Sequence, residues 1–200
     1  YGQACCTQGS SCNSMMTNSK PIDELLRVMA RLRSPDGCPW DCEQSHKSIR
    51  LNAVEEVYEL IDAIEADDDE EMLEELGDLL LQVVFHAQIA DERGAFNFDK
   101  VSRSITNKLI RRHPHVFEDV KVKNVDGVWR QWDAIKRREK AGTARERKSE
   151  FDGIPKHLPE LMRAHEVVKK ARKADLLPKG RKVFAKRKLG EELFKLVQKA

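Results

Sequence analysis

The chain is 200 residues long, 40% hydrophobic and 35% charged, with a formal net charge of +2. That is enough apolar matter for one or two small cores, and it excludes a wholly disordered chain. No apolar run approaches the ~18 residues of a membrane span, and the N-terminus lacks the apolar core of a signal peptide, so neither is expected.

Residues 1–19 are rich in Gly, Ser, Gln, Asn and Cys without periodicity, and read as a disordered or cloning-derived leader. From Pro21, the residues Ile22, Leu25, Leu26, Met29 and Leu32 recur at helical spacing and predict a first helix, which Pro35-Asp36-Gly37 ends. A loop, Cys38–Asp41, then presents Trp40; taken alone, a loop tryptophan is more often a packing anchor than a ligand platform. The five cysteines are Cys5, Cys6, Cys12, Cys38 and Cys42. Cys38 and Cys42 lack a second ligand pair for zinc, and free thiols in a reducing cytoplasm are the expectation.

Two acidic helices follow, divided at Asp67-Asp68-Asp69, where aspartates suit caps and turns. On the first, Val54, Val57, Tyr58, Ile61 and Ile64 form an apolar stripe, and Glu55, Glu56 and Glu59 cluster on the face away from it. The second carries Leu76, Leu79, Leu80, Leu81, Val83, Val84 and Phe85, the pattern of a helix buried all round, and Gly94 closes it. Yet Glu75, Asp78, Gln82 and His86 run down it at i+3 and i+4 steps. Most acidic runs on helices are solvated faces, and for the first helix alone that reading leads. The polar line on the apolar second helix reverses it. Carboxylates beside buried surface repel one another and lose hydration, and a hard divalent cation compensates both. Mg²⁺ in particular favours carboxylates together with substrate phosphates. Gly77, between the two acids, costs roughly 1 kcal/mol inside a helix, and close approach by a ligand or a neighbouring helix would explain it.

The next predicted helix carries Phe98, Val101, Ile105 and Leu109, with Lys108 and Arg112 one turn apart, and Pro114 stops it. Such cations usually snorkel into solvent. A further helix sets Trp129, Trp132 and Lys136 on one face; two tryptophans there point to a core or a subunit interface. Residues 141–152 are a charged linker. Pro155 and Pro159 open a last helix with Leu161, Ala164, Val168 and Ala171 as its apolar face. Charge is unevenly spread along this order. From Lys136 onward 21 lysines and arginines stand against 9 acids, leaving 15 against 25 in the first 135 residues.

The ordered set Glu55-Glu56-x-x-Glu59, then Glu75-x-x-Asp78, resembles the signature of the MazG family of all-α nucleoside triphosphate pyrophosphohydrolases. Gly37-Cys38-Pro39-Trp40-Asp41 upstream and Arg111-Arg112-His113-Pro114-His115-Val116-Phe117 downstream agree with it. The match runs from about Pro21 to about Lys140 and, more weakly, to about Lys173. The resemblance implies an all-α helical bundle completed by dimerisation, as a homodimer or a dimer of dimers. It implies Mg²⁺, with Mn²⁺ as a substitute, held by Glu56, Glu59, Glu75 and Asp78, and Glu55 as the carboxylate that activates water or supports the ligands. It implies a nucleoside triphosphate as substrate, contacted by Trp40, Lys108, Arg112 and Lys136.

The expected organisation is a leader over 1–19, a catalytic helical domain over 20–141, and a basic helical extension over 142–200. Within that extension Gly190-Glu191-Glu192-Leu193-Phe194 is a faint echo of a second acidic motif, as in a degenerate or truncated second copy. Lys195 stands where a glutamate is needed and no second ExxD follows, so a second active site is not expected. Two other classes compete with the enzyme. A di-iron carboxylate bundle requires Glu-x-x-His pairs, and none occurs beside the cluster. A non-enzymatic helical protein would grip nucleic acid through the basic C-terminal third. That stretch has few interleaved aromatics, so neither nucleic acid nor a membrane is an expected partner.

Overall fold

A computed structural model describes residues 20–144 and 146–176. Among the described residues the fold is all helical, with helices α1 (Pro21–Leu32), α2 (Pro39–Glu43), α3 (Asn52–Glu65), α4 (Asp69–Glu92), α5 (Phe98–Arg112), α6 (Pro114–Phe117), α7 (Val125–Arg138) and α8 (Glu160–Lys173). The expected leader, with Cys5, Cys6 and Cys12, and the motif echo at 190–194 lie outside the described residues. None of the described helices is long and apolar enough to cross a membrane. The chain divides into two compact units, Tyr1–Arg111 and Arg112–Ala200.

The first unit is built on the α3–α4 hairpin. Asp67 takes a left-handed conformation (φ 53°) just past the end of α3. That lets the N–H groups of Asp67 and Asp68 satisfy the carbonyls of Ile64 and Ala63 at 3.2 and 3.1 Å. Asp68 then turns to cap α4, its carboxylate accepting from Glu70 N and Glu71 N. The expected turn is thus made by two aspartates in consecutive roles. At the far end Gly94 (φ 67°) closes α4 in the same manner, with Ala95 N on Ala90 O at 2.9 Å.

The core lies along the second half of α4, where Met29 from α1 and Ile49 from the loop before α3 meet Val84, Phe85 and Ile89. Leu25, Leu26, Leu81 and Phe98 pack around them. Each fully buried side chain of this size contributes roughly 1.5–3 kcal/mol by leaving water. Proline at the first position of α1 and the apolar spacing behind it explain why that helix forms and which face it buries.

Three expectations need correction. The apolar stripe of α3 is not its packed face: Val54, Val57, Tyr58, Ile61 and Ile64 are 40–51% exposed. The seam instead runs through Ala53, Glu56, Leu60 and Ala63, of which only Ala63 is fully buried. α4 is not buried all round either, since Leu73, Leu76, Leu80 and Val83 are exposed. Among the described residues the larger apolar groups of both helices stay partly exposed. Gly77 has no neighbour to accommodate, as a Cβ there would meet nothing within 4 Å. Gly37 does have backbone in that place, because a Cβ would fall 2.2 Å from the Leu32 carbonyl oxygen.

In the second unit Trp132 is half-buried between His113, edge-on at 4.9 Å, and the Arg112 guanidinium at 5.5 Å, while Trp129 is exposed. Asn124 caps α7 through Gly127 N at 2.9 Å. Lys173 of α8 pairs with Asp133 of α7. The linker before α8 is held by Lys170, whose ammonium donates to the carbonyls of Glu150 and Asp152 at 2.7 and 3.2 Å. Burial there lowers the Lys170 pKa.

Candidate metal centre

The α3–α4 turn sets the two helices antiparallel, so Glu56 on one faces Glu75 and Asp78 on the other. One carboxylate oxygen from each of these three residues lies within 4.8 Å of the others, and all three residues are half-buried. Gln82, one turn beyond Asp78 and 7% exposed, donates its amide to Glu56 Oε1 at 3.2 Å. Glu75 Oε2 and Gln82 Oε1 are buried and have no hydrogen-bond partner. Unpaired buried acceptors are costly in an apolar setting, and a cation satisfies them. The oxygen donors therefore fit a hard divalent metal.

The electrostatics agree. Burial, then the charge of Asp78, raises the Glu56 pKa, against the hydrogen bond from Gln82. Burial, then the charges of Glu59, Asp78 and Glu56, raises that of Glu75. Desolvation and mutual repulsion are thus both present.

The residues singled out from the sequence are distributed unequally. Glu56, Glu75 and Asp78 come together. Glu59 is exposed and outside the group, although its charge is the largest acting on Glu75. Glu55 is exposed. Lys108 is half-buried on α5, and Lys136 half-buried on α7. Arg112 makes a bidentate pair with Glu139, its Nη2 at 2.5 Å from Oε2, with both side chains largely buried. Trp40 is 56% exposed and sits on α2, a short helix where a loop was expected, edge-on to Phe85 at 6.5 Å.

Further along the polar line, His86 meets His46 from the loop before α3, Nδ1 to Nδ1 at 2.8 Å with the rings stacked. One ring donates and the other accepts. Burial, then the proximity of His46, lowers the His86 pKa. Sequence reasoning placed Gln82 and His86 on the line but gave them no role, and it missed His46 altogether. For Gln82 the available signal was an amide between two acids and a histidine on one face.

Residues 44–117 match the MazG nucleotide pyrophosphohydrolase domain. The nucleoside triphosphate pyrophosphohydrolase of Escherichia coli K12 is 48% identical over 150 residues, covering 74% of this chain and 56% of that protein. The nucleoside triphosphate pyrophosphohydrolase/pyrophosphatase MazG of Thermotoga maritima is 47% identical over 150 residues, covering 75% and 56%. The chain therefore spans little more than half the length of these relatives. A crystal structure of a MazG-related protein from Thermotoga maritima covers 57% of this chain and 97% of its own, at 23% identity and a TM-score of 0.49.

Proposed function

We propose that this chain, which belongs to the MazG family through residues 44–117, hydrolyses nucleoside triphosphates to the nucleoside monophosphate and pyrophosphate. The observation that carries the reading is the meeting of Glu56, Glu75 and Asp78 oxygens within 4.8 Å, with Glu75 Oε2 buried and unpartnered. These three, with Glu59 adding its charge at the rim, would hold Mg²⁺ or Mn²⁺. When bound, such a cation neutralises phosphate oxygens and lowers the pKa of a water molecule.

The chain's own groups supply the rest. Gln82 fixes the Glu56 carboxylate. Glu55, one residue earlier and exposed, is the candidate to accept the proton of the attacking water. Trp40 offers an exposed indole on which a base can stack. Lys108 and Lys136 are candidates for the remaining phosphate oxygens, and Arg112 would have to exchange Glu139 to join them. Cations gripping the β- and γ-phosphates stabilise pyrophosphate as the leaving group, which directs attack to the α-phosphorus.

The uncovered stripe of α3 and the exposed leucines of α4 support a homodimer, or a dimer of dimers, in which a second copy covers the hairpin. The cytoplasm is the compartment that suits this substrate and the free thiols of Cys38 and Cys42. Hydrolysis in ¹⁸O-water with Mg²⁺ tests the reaction: label is expected in the monophosphate. Label in pyrophosphate, or orthophosphate release with a diphosphate product, would overturn it.

A further inference from the structure

The segment that carries Trp40 has little buried surface to hold it. Helix α2 is five residues long and buries none of them. So short a helix is not stable by itself. The Gln44 side-chain amide takes up the Trp40 carbonyl at 2.9 Å, and a second side chain reaches two more carbonyls of the segment. Arg33, immediately after α1, donates through Nη1 to the carbonyl oxygens of Asp41 and Gln44, the second at 3.2 Å. The same guanidinium donates through Nε and Nη2 to Glu92 Oε1 and Oε2 at 2.8 and 2.7 Å. Its central carbon, Cζ, lies 5.4 Å from the centroid of Phe85, the ring that Trp40 meets edge-on. The Arg33 side chain is only 7% exposed.

Phe85 and Glu92 belong to α4, the helix that also carries Glu75 and Asp78. The guanidinium thus fixes the α2 backbone to the helix that holds two of the three clustered carboxylates. A planar fork with donors on three nitrogens can do this, while a lysine ammonium cannot span Glu92 and two carbonyls in the same geometry. The hydrogen bond from Arg33 also holds the Glu92 carboxyl below its ordinary value, so the brace stays charged at neutral pH.

We infer that Arg33 is the positioning residue of the Trp40 platform, setting where the nucleotide base stacks relative to the acid cluster. The inference rests on the proposed contact between Trp40 and the base. It is distinct from a general role in stability, because a misplaced platform weakens substrate binding and leaves the chemistry at the phosphates intact.

The test compares Trp40→Ala, Arg33→Met, Arg33→Lys and the double variant Arg33→Met/Trp40→Ala in the full chain. Turnover is measured with Mg²⁺ and the four ordinary ribonucleoside triphosphates. Trp40→Ala and Arg33→Met should each raise KM about tenfold or more, the worth of one base–aromatic stack, with kcat little changed. The double variant should be no worse than Trp40→Ala alone. Arg33→Lys should show the raised KM while melting closer to the wild type, which separates position from stability should Arg33→Met fail to fold. Independently of activity, in a Trp129→Phe/Trp132→Phe background the fluorescence anisotropy of Trp40 should fall in either Arg33 variant. An unchanged KM in Trp40→Ala would sink the base contact. A raised KM in Trp40→Ala alongside wild-type KM and anisotropy in both Arg33 variants would sink the role of Arg33.

Discussion

Gln82 is an amide among acids, and its single bond to Glu56 fixes which oxygens of that carboxylate remain free. Replacing it by methionine keeps the volume and removes the donor. The fold should survive, and activity at limiting Mg²⁺ should drop roughly 10- to 100-fold, the usual effect of losing a group that orients a metal ligand. Titration of rate against Mg²⁺ reads this. Glu75 makes the opposite demand on stability. Its folded pKa is raised above the ordinary 4.5, first by burial and then by Glu59, Asp78 and Glu56. The folded chain therefore holds that proton more tightly than the unfolded chain. Metal-free stability falls as pH rises from 4.5 through the raised value. Glu75→Gln removes the ionisation, so in EDTA its melting temperature should exceed that of the wild type near neutral pH and match it more closely in acid. Turnover should be lost by more than about 100-fold. A variant less stable than the wild type in EDTA at neutral pH would contradict the strain assigned to this carboxylate.

At the scale of the element, the break between α1 and α2 depends on one missing methyl group. The Gly37 position of Cβ overlaps the carbonyl oxygens of Leu32 and Arg31, 2.2 and 2.5 Å away, both backbone atoms that cannot swing aside. Gly37→Ala should destabilise the chain by about 1–3 kcal/mol, as overpacking does, and raise KM by shifting Trp40. Denaturant melts and steady-state kinetics measure the two effects. The turn itself was legible as Pro35-Asp36-Gly37, and so were the helix boundaries at Asp67–Asp69, Gly94 and Pro114, because capping and breaking chemistry is local. Helix α2 was read as a loop; it is a turn or so long, and no periodicity can announce so short an element. Arg33 was illegible for a different reason. Its partner Glu92 is 59 residues away, and neither residue has a local pattern that pairs them. The facing of α3 was misjudged because an apolar stripe states that a partner is needed and not which one. Glu56, Glu75 and Asp78 could be found because spacing and a known motif coincide.

For the whole molecule, the stripe of Val54, Val57, Ile61 and Ile64 is the surface on which the proposed association rests. These four side chains and Tyr58, all 40–51% exposed on one helix, are more than isolated surface hydrophobes. If a second copy covers them, Ile61→Lys should shift the sedimentation mass from that of a dimer or tetramer to that of a monomer and lower the melting temperature. A wild-type chain that sediments as a monomer would refute the assembly while leaving the acid cluster intact. Within the basic stretch from Lys136 onward, Lys173 pairs with Asp133 of α7, and Lys170 donates to the carbonyls of Glu150 and Asp152.

The clustered carboxylates all come from a single hairpin, between Glu56 and Asp78. This gives the site a place in time as well as in space. Closing so short a loop is quick and costs little chain entropy, so topology makes the hairpin an early event. It is also the event that drives three like charges together. In chelator the repulsion is felt at the folding barrier and refolding should slow. With Mg²⁺ present it should accelerate, and unfolding should change little. Stopped-flow refolding and unfolding arms with and without Mg²⁺ separate the two, and a metal effect confined to the unfolding arm would mean that the charges converge only after the barrier is crossed.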